Sequence, residues 1–244
     1  CGGSESGETE ESNETAAYDR AEMLKHWADK IIIPSYNSFS SSLSALDSKT
    51  KTFVETPNQA NLSDLRTAWL NSYKAWQHVE MFDIGKAEEI FYKSKMNIYP
   101  VDKSWLENSV STGNYGLDNA NSYSSQGLPA LDYLLNGLAA SDNDIITKYT
   151  ANNKYKNYLS AVVAKMVSNT KLVVDDWSTY KASFVSSTAN TSTSSANKLI
   201  NDFIYYYEKG FRANKVGIPA GIFSGSPLPG NVEAFYKKDV SKTL

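Results

Sequence analysis

Residues 61–82 read NLSDLRTAWLNSYKAWQHVEMF, and this stretch decides the fold class. Trp69, Tyr73, Trp76 and Glu80, with Asp83 just beyond, recur at spacings of four, three, four and three, which puts them on one face of a helix. Asn61 is expected to cap that helix, with Asp64 in its first turn. Glu80 thus continues an aromatic stripe. If the face is buried, its carboxylate must be paired, hydrogen-bonded or ligating, because burial disfavours its charge. If the stripe runs off the core, Glu80 is solvated; the residues alone leave both open.

Helical period extends outward on either side. From Ala16 to about Leu46, Met23, Leu24, Trp27, Ile31 and Ile32 recur at threes and fours, and Pro34 is expected to kink or interrupt the helix. Between Gly85 and Gln126 the period fades, so this reads as a long loop with one short helix near Ser104 to Ser109, and a loop of that length is usually functional. Helix returns at Leu128 to Leu138, over 153–185 and at about 196–214, with a Ser/Thr-rich stretch, SSTANTSTSSAN, before the last. KVGIPAGIFSGSPLPG reads as a Gly/Pro loop and NVEAFYKKDV as a final short helix. Alternating strands are absent from the pattern. The class is therefore all-α, in two helical-bundle halves divided by the change at about Ala140 to Asn152. The expected organisation is a disordered tether at 1–15, a first bundle at 16–140 and a second, partial one at 141–244. The second group is short of helices, which reads as truncation or partial proteolysis.

Composition narrows the function. With 244 residues and 41% hydrophobic content the chain can bury a sizeable core, yet no window approaches the roughly 18 apolar residues of a membrane span. Glu5, Glu8, Glu10, Glu11 and Glu14 carry the acidity; removing those five charges from the net of −3 leaves the body at +2. Lys and Arg are spread, not clustered, which argues against nucleic acid as a partner. Cys1 is the one cysteine, so a disulfide framework and a Cys-based metal cluster are excluded. The opening CGGSESGETEESNE resembles a mature bacterial lipoprotein: lipid on Cys1, then a solvated tether too polar to order itself. Its acidic run is similar to the surface-export tract of lipoproteins of the Bacteroides group. The bland alternative is an arbitrary chain boundary with a free thiol.

The two histidines offer little chemistry. His78 lies roughly 200° around the helix from Glu80, so the two cannot chelate one ion, and His26 has no HExxH context. Surface or packing roles are expected for both. In GLPALDYLLNG, residues 127–137, Leu128, Leu131, Leu135 and the following Leu138 form a buried face, with Asp132 roughly 90° off its centre. Pro129 is tolerable because it falls in the first turn, where its missing N–H costs nothing. Glu208 and Arg212 in YEKGFRANK have i,i+4 spacing, and a surface ion pair is the simplest reading. The 16 Tyr and five Trp would suit a glycan platform if exposed, although helical spacing makes most of them core.

Taken in order, AWLNSYKAWQHVEMFDIGKAE, NIYPVD, GLPALDYLLNG and EKGFRANKVGIP resemble the imelysin family of bacterial secreted and lipid-anchored proteins, over most of residues 20–236. The resemblance implies two bundle-like halves with a site between them built around a Gly-x-His-x-x-Glu motif, peptidase activity in the family's naming, and a link to iron uptake with His and Glu as proposed metal ligands. Family members usually continue beyond this C-terminus. Here the frame survives as Gly127, Pro129 and Asp132, with proline in place of histidine and aspartate in place of glutamate. Proline supplies no ligand, so metallopeptidase chemistry is not expected. The resemblance implies a ligand site of Trp76, Glu80, Gly127, Pro129, Asp132, Glu208 and Arg212. Glu80, Asp132 and Glu208 could offer hard oxygen ligands to ferric iron or another divalent or trivalent ion such as calcium.

The leading expectation is therefore a lipid-anchored, non-enzymatic binding protein of the cell envelope. It would be held at the outer membrane, periplasmic or surface-exposed, and associated with iron or haem uptake through an outer-membrane receptor or iron transporter. A divergent metallopeptidase and an aromatic-rich glycan-binding lipoprotein are the alternatives.

Overall fold

The computed structural model describes residues 19–238, so Cys1 and the acidic tract lie outside the described residues. Ten α-helices are present among them, with no strand: α1 (Arg20–Trp27), α2 (Ile33–Glu55), α3 (Gln59–Trp76), α4 (Lys86–Glu89), α5 (Tyr92–Met96), α6 (Lys103–Thr112), α7 (Gly127–Asp132), α8 (Asp142–Ala151), α9 (Lys154–Ser186) and α10 (Ser195–Tyr205). None is long and apolar enough to cross a membrane. The all-α expectation holds.

The decisive stretch forms α3, but its cap lies earlier than expected. Asn58 caps it, its side-chain oxygen accepting from Asn61 N–H at 2.9 Å, while the Asn61 amide donates to the Thr56 carbonyl at 2.7 Å. Asn61 thus ties down the approach to the helix instead of starting it. Leu62, Leu65, Trp69, Tyr73 and Trp76 all face inward and are buried. The helix stops at Trp76; residues 77–81 continue as turns that keep Glu80 on the buried side.

Pro34 does not break the first long helix. A π-helical segment, Ala28–Ile32, precedes it, and the Ile33 N–H reaches back five residues to Ala28 O. Pro34 has no N–H for a regular bond, and the wider turn lets α1 run into α2 across it. On α2, Tyr36, Phe39, Leu43, Leu46, Thr50 and Phe53 alternate threes and fours, the period of bundle packing, and this face lies along α3 and α9. α9, 33 residues and so roughly 50 Å long, answers with Tyr158, Val162, Met166, Val173, Trp177 and Phe184. The two halves expected from the sequence meet near residue 140. That stretch carries α8, and buried residues from both sides of it form one cluster.

The stretch 85–126, expected as mostly loop, folds into α4, α5, α6 and a 3₁₀ segment, Ala120–Ser125. Each is too short to show an apolar period, and each depends on local chemistry. Asp102 caps α6 by accepting from Trp105 N–H, Gly113 ends it with φ +76°, and Asn119 caps the 3₁₀ turn. The final helix expected over NVEAFYKKDV is also absent among the described residues: α10 runs into a π-helical stretch, Tyr206–Gly217, and residues 218–237 return across the molecule in turns. Large apolar side chains left exposed concentrate here, including Ile200, Phe203, Ile204, Phe211, Ile222 and Phe223.

Gly127, which opens α7, is held by two constraints. Its φ is +76°, and a Cβ there would lie 2.3 Å from the Met96 carbonyl oxygen. Gly113 shares the φ with open space around it. Gly113→Ala should cost about 1–2 kcal/mol of stability from backbone strain alone. Gly127→Ala should cost at least about 3 kcal/mol as backbone is forced from backbone. Denaturant midpoints of the two variants measure the difference, and equal losses would refute the close-approach constraint.

Candidate functional site

Two adjoining features meet where α3, α7, the 97–103 connection and the C-terminal return come together. The first is a cleft of about 320 Å³ lined by Tyr99, Val101, Lys103, Pro129, Asp132 and residues of the return, among them Asn231 and Phe235. Pro129 forms part of its wall, in a first turn where its ring displaces no hydrogen bond. Asp132 is buried, 1% exposed, and both its oxygens are engaged. Oδ2 accepts from Tyr236 N–H at 2.7 Å; Oδ1 accepts from Lys237 N–H at 3.1 Å and from the Asn136 amide at 3.0 Å. Burial raises its pKa to about 6, only partly opposed by those bonds. Asp132 therefore pins the return to α7.

The second feature is a buried charge cluster. Glu80 and Glu233 are each 5% exposed, which settles Glu80 as buried, not solvated. The Asn97 amide nitrogen donates to both carboxylates, to Glu80 Oε1 at 2.8 Å and Glu233 Oε1 at 2.7 Å, while Asn97 Oδ1 accepts from Tyr73 O–H at 2.7 Å. Lys215 Nζ faces the other oxygens, 3.4 Å from Glu80 Oε2 and 3.1 Å from Glu233 Oε2, and also donates to Gln77 Oε1. Burial raises the Glu233 pKa, Glu80 reinforces this and Lys215 opposes it; for Lys215, burial works against the ammonium but the two carboxylates outweigh it. Burial, then Glu80, pushes the neighbouring Tyr206 phenol up to about 12.

Of the expected ligand set, Trp76, Glu80, Gly127, Pro129 and Asp132 lie at or beside these features. Glu208 and Arg212 do not. They are exposed and pair with each other at 2.6 Å on the outer side of the π-helical stretch, the simple i,i+4 ion pair. The proposed oxygen set of Glu80, Asp132 and Glu208 is thus not assembled: Glu80 belongs to the lysine cluster, Asp132 to backbone amides, Glu208 to the surface. Among the described residues no group of three His, Cys, Asp or Glu is placed to hold a metal. The residues present do not fit the family's metal. Both histidines are exposed.

Lys215, Glu233 and Asn97 were not singled out from the sequence. Asn97 and Lys215 sit inside NIYPVD and EKGFRANKVGIP, where the i,i+4 pair Glu208–Arg212 is the pattern the spacing shows. A buried lysine has no spacing that announces it. Of the aromatic residues, Trp69, Trp76 and Trp177 are buried in the core, while Trp105, Tyr205 and Tyr207 are exposed.

The fold and these features define an all-helical protein with a buried carboxylate–lysine cluster beside a polar-rimmed cleft. The family described as Imelysin matches residues 32–238, and the chain belongs to that family. It is 26% identical over 98 residues to "Iron-regulated protein A" of Synechococcus elongatus, an alignment covering 40% of this chain and 28% of that protein. A crystal structure of an imelysin-like protein from Psychrobacter arcticum superposes with a TM-score of 0.66 at 20% identity, covering 86% of this chain and 65% of the other. A putative iron-regulated protein A precursor from Parabacteroides distasonis gives 0.68 at 17% identity, covering 89% and 68%. The chain thus spans under a third of the curated relative's length and about two thirds of the solved structures', and the structural likenesses speak for fold alone.

Because the folded pKa of Asp132 lies above its unfolded value near 3.9, its contribution to stability is fully present below the unfolded value and is lost as pH rises through about 6. Acidification from pH 7 to 5 should therefore stabilise the wild type relative to Asp132→Asn. Asp202, also raised to about 6, titrates in both proteins and cancels from the difference. Melting curves at the two pH values give this difference, and a gap independent of pH would contradict the assignment.

Proposed function

We propose that this chain is a non-enzymatic binding protein of the bacterial cell envelope, anchored by lipid on Cys1 and serving iron acquisition beside an outer-membrane receptor or transporter. The observation that carries the non-enzymatic part is the state of the frame residues: Pro129 has no ligand atom, and both oxygens of Asp132 are already hydrogen-bonded. Pro129 can act as neither metal ligand, nucleophile nor base, and the Asp132 carboxylate is occupied in holding the C-terminal return. The iron connection is supported by the names of two similar proteins, both called iron-regulated protein A.

With its buried carboxylates engaged, the protein would take iron as a small preformed chelate instead of a bare ion. A cleft of about 320 Å³ sits at the lower end of small-molecule sites, below what would enclose a haem, and Lys103 at its edge favours an anionic ligand. Ferric citrate is the probe. Calorimetry should give saturable binding at micromolar concentration that weakens at least tenfold in Lys103→Glu, while haem and a peptide library in the presence of divalent metal should give neither enclosed binding nor cleavage. Absence of ferric citrate binding would defeat the ligand class, and chelator-sensitive peptide cleavage would restore the metallopeptidase reading.

A further inference from the structure

We propose that Lys215 is a resident cation: its ammonium holds the position a metal ion would otherwise take among Glu80, Glu233 and Gln77, and so closes this oxygen cluster to metals. The inference goes beyond the cleft and does not depend on what the cleft binds.

Three oxygen acceptors from two distant segments converge on Lys215 Nζ: Glu80 Oε2, Glu233 Oε2 and Gln77 Oε1. Asn97 holds the opposite oxygen of each carboxylate, and the two Oε2 atoms face the ammonium, with the Tyr206 phenol also beside Glu80. Glu80 Oε2 is buried, and Lys215, 3.4 Å away, is the cation that faces it. Separations of 3.1 and 3.4 Å from the two carboxylates suit an ammonium ion pair, whereas calcium would draw the oxygens to roughly 2.3–2.6 Å. The lysine side chain is itself mostly buried, 11% exposed, so it is part of the packing and not a loose counterion. Hard oxygens around a single positive centre form the ligand chemistry of calcium, manganese and lanthanides. What excludes those ions is a side chain of this same chain. A cavity of about 190 Å³ lined by Asn97, Tyr99, Asn214 and Asn231 adjoins the cluster at Asn97.

Removing the ammonium while keeping the stem should therefore turn a charge cluster into a cation site. Terbium luminescence, sensitised by nearby Tyr73, Trp76 and Tyr206, is the readout for the full chain, for Lys215→Met and for Glu80→Gln combined with Lys215→Met. The acidic N-terminal tract gives the same weak background in all three. Lys215→Met should bind terbium at least tenfold more tightly than wild type, calcium should raise its melting temperature while leaving the wild type unmoved, and the double variant should return to background. A folded Lys215→Met with no gain would overturn the proposal, as would a wild type that binds terbium through Glu80 equally well. Should Lys215→Met fold poorly, refolding with and without calcium decides, since no rescue by the ion also overturns it. In the wild type, the Lys215 ammonium resonance should stay protected from solvent exchange on adding calcium; its loss would show that the ion displaces the lysine. None of these signals involves ferric citrate, so failure here and failure of the cleft reading are told apart.

Discussion

The side-chain amide of Asn97 is the contact on which the arrangement depends. It donates simultaneously to Glu80, in the turns after α3, and to Glu233, in the C-terminal return, while accepting from Tyr73 on α3. Because the nitrogen faces two carboxylates and the oxygen faces a phenol, the amide has only one sensible orientation. Two like charges brought this close in a buried setting would repel strongly, and Lys215 on their far side makes the arrangement tolerable. Breaking such a buried group by removing one partner typically costs about 3–5 kcal/mol, well above the value of the exposed pairs elsewhere on this surface.

That cluster and Asp132 perform the same structural task by different chemistry. Glu233 is tied through Asn97, and three residues later the chain is tied again when Tyr236 and Lys237 donate backbone N–H groups to Asp132. The C-terminal return has no regular helix to satisfy its own backbone, so buried carboxylates supply the acceptors. The cleft exists because this return is held across α7 at two points. Its position also fixes the aspartate of the family frame, which accepts main-chain N–H groups from the return.

The helical scaffold was legible because long helices repeat their signal. Trp69, Tyr73 and Trp76 on α3, and the threes and fours of α9, are apolar periods that only a helix buried on one face produces. Stretch 85–126 was not legible, since α4, α5 and the 3₁₀ turn are each about one turn long and rest on single caps and on Gly85 and Phe91 at positive φ. Pro34 was readable as a disturbance but not as a π-helical turn, because both remedies look alike in sequence. The site divides in the same way. Gly127, Pro129 and Asp132 were found by their frame; Glu208 and Arg212 followed a helical spacing that holds but faces solvent.

By itself the sequence determined the helical class, the burial of the tryptophan stripe, the one-turn tolerance of Pro129 and the loss of an imidazole from the frame, all of which depend on neighbours within a turn or two. Only the tertiary structure decided that Glu80 is buried, that it shares Asn97 and Lys215 with Glu233, and that Asp132 binds backbone. Those pairings join residues 17 to 136 positions apart. No local period encodes such separations, because the chain must first fold before desolvation can force each buried charge to find a partner.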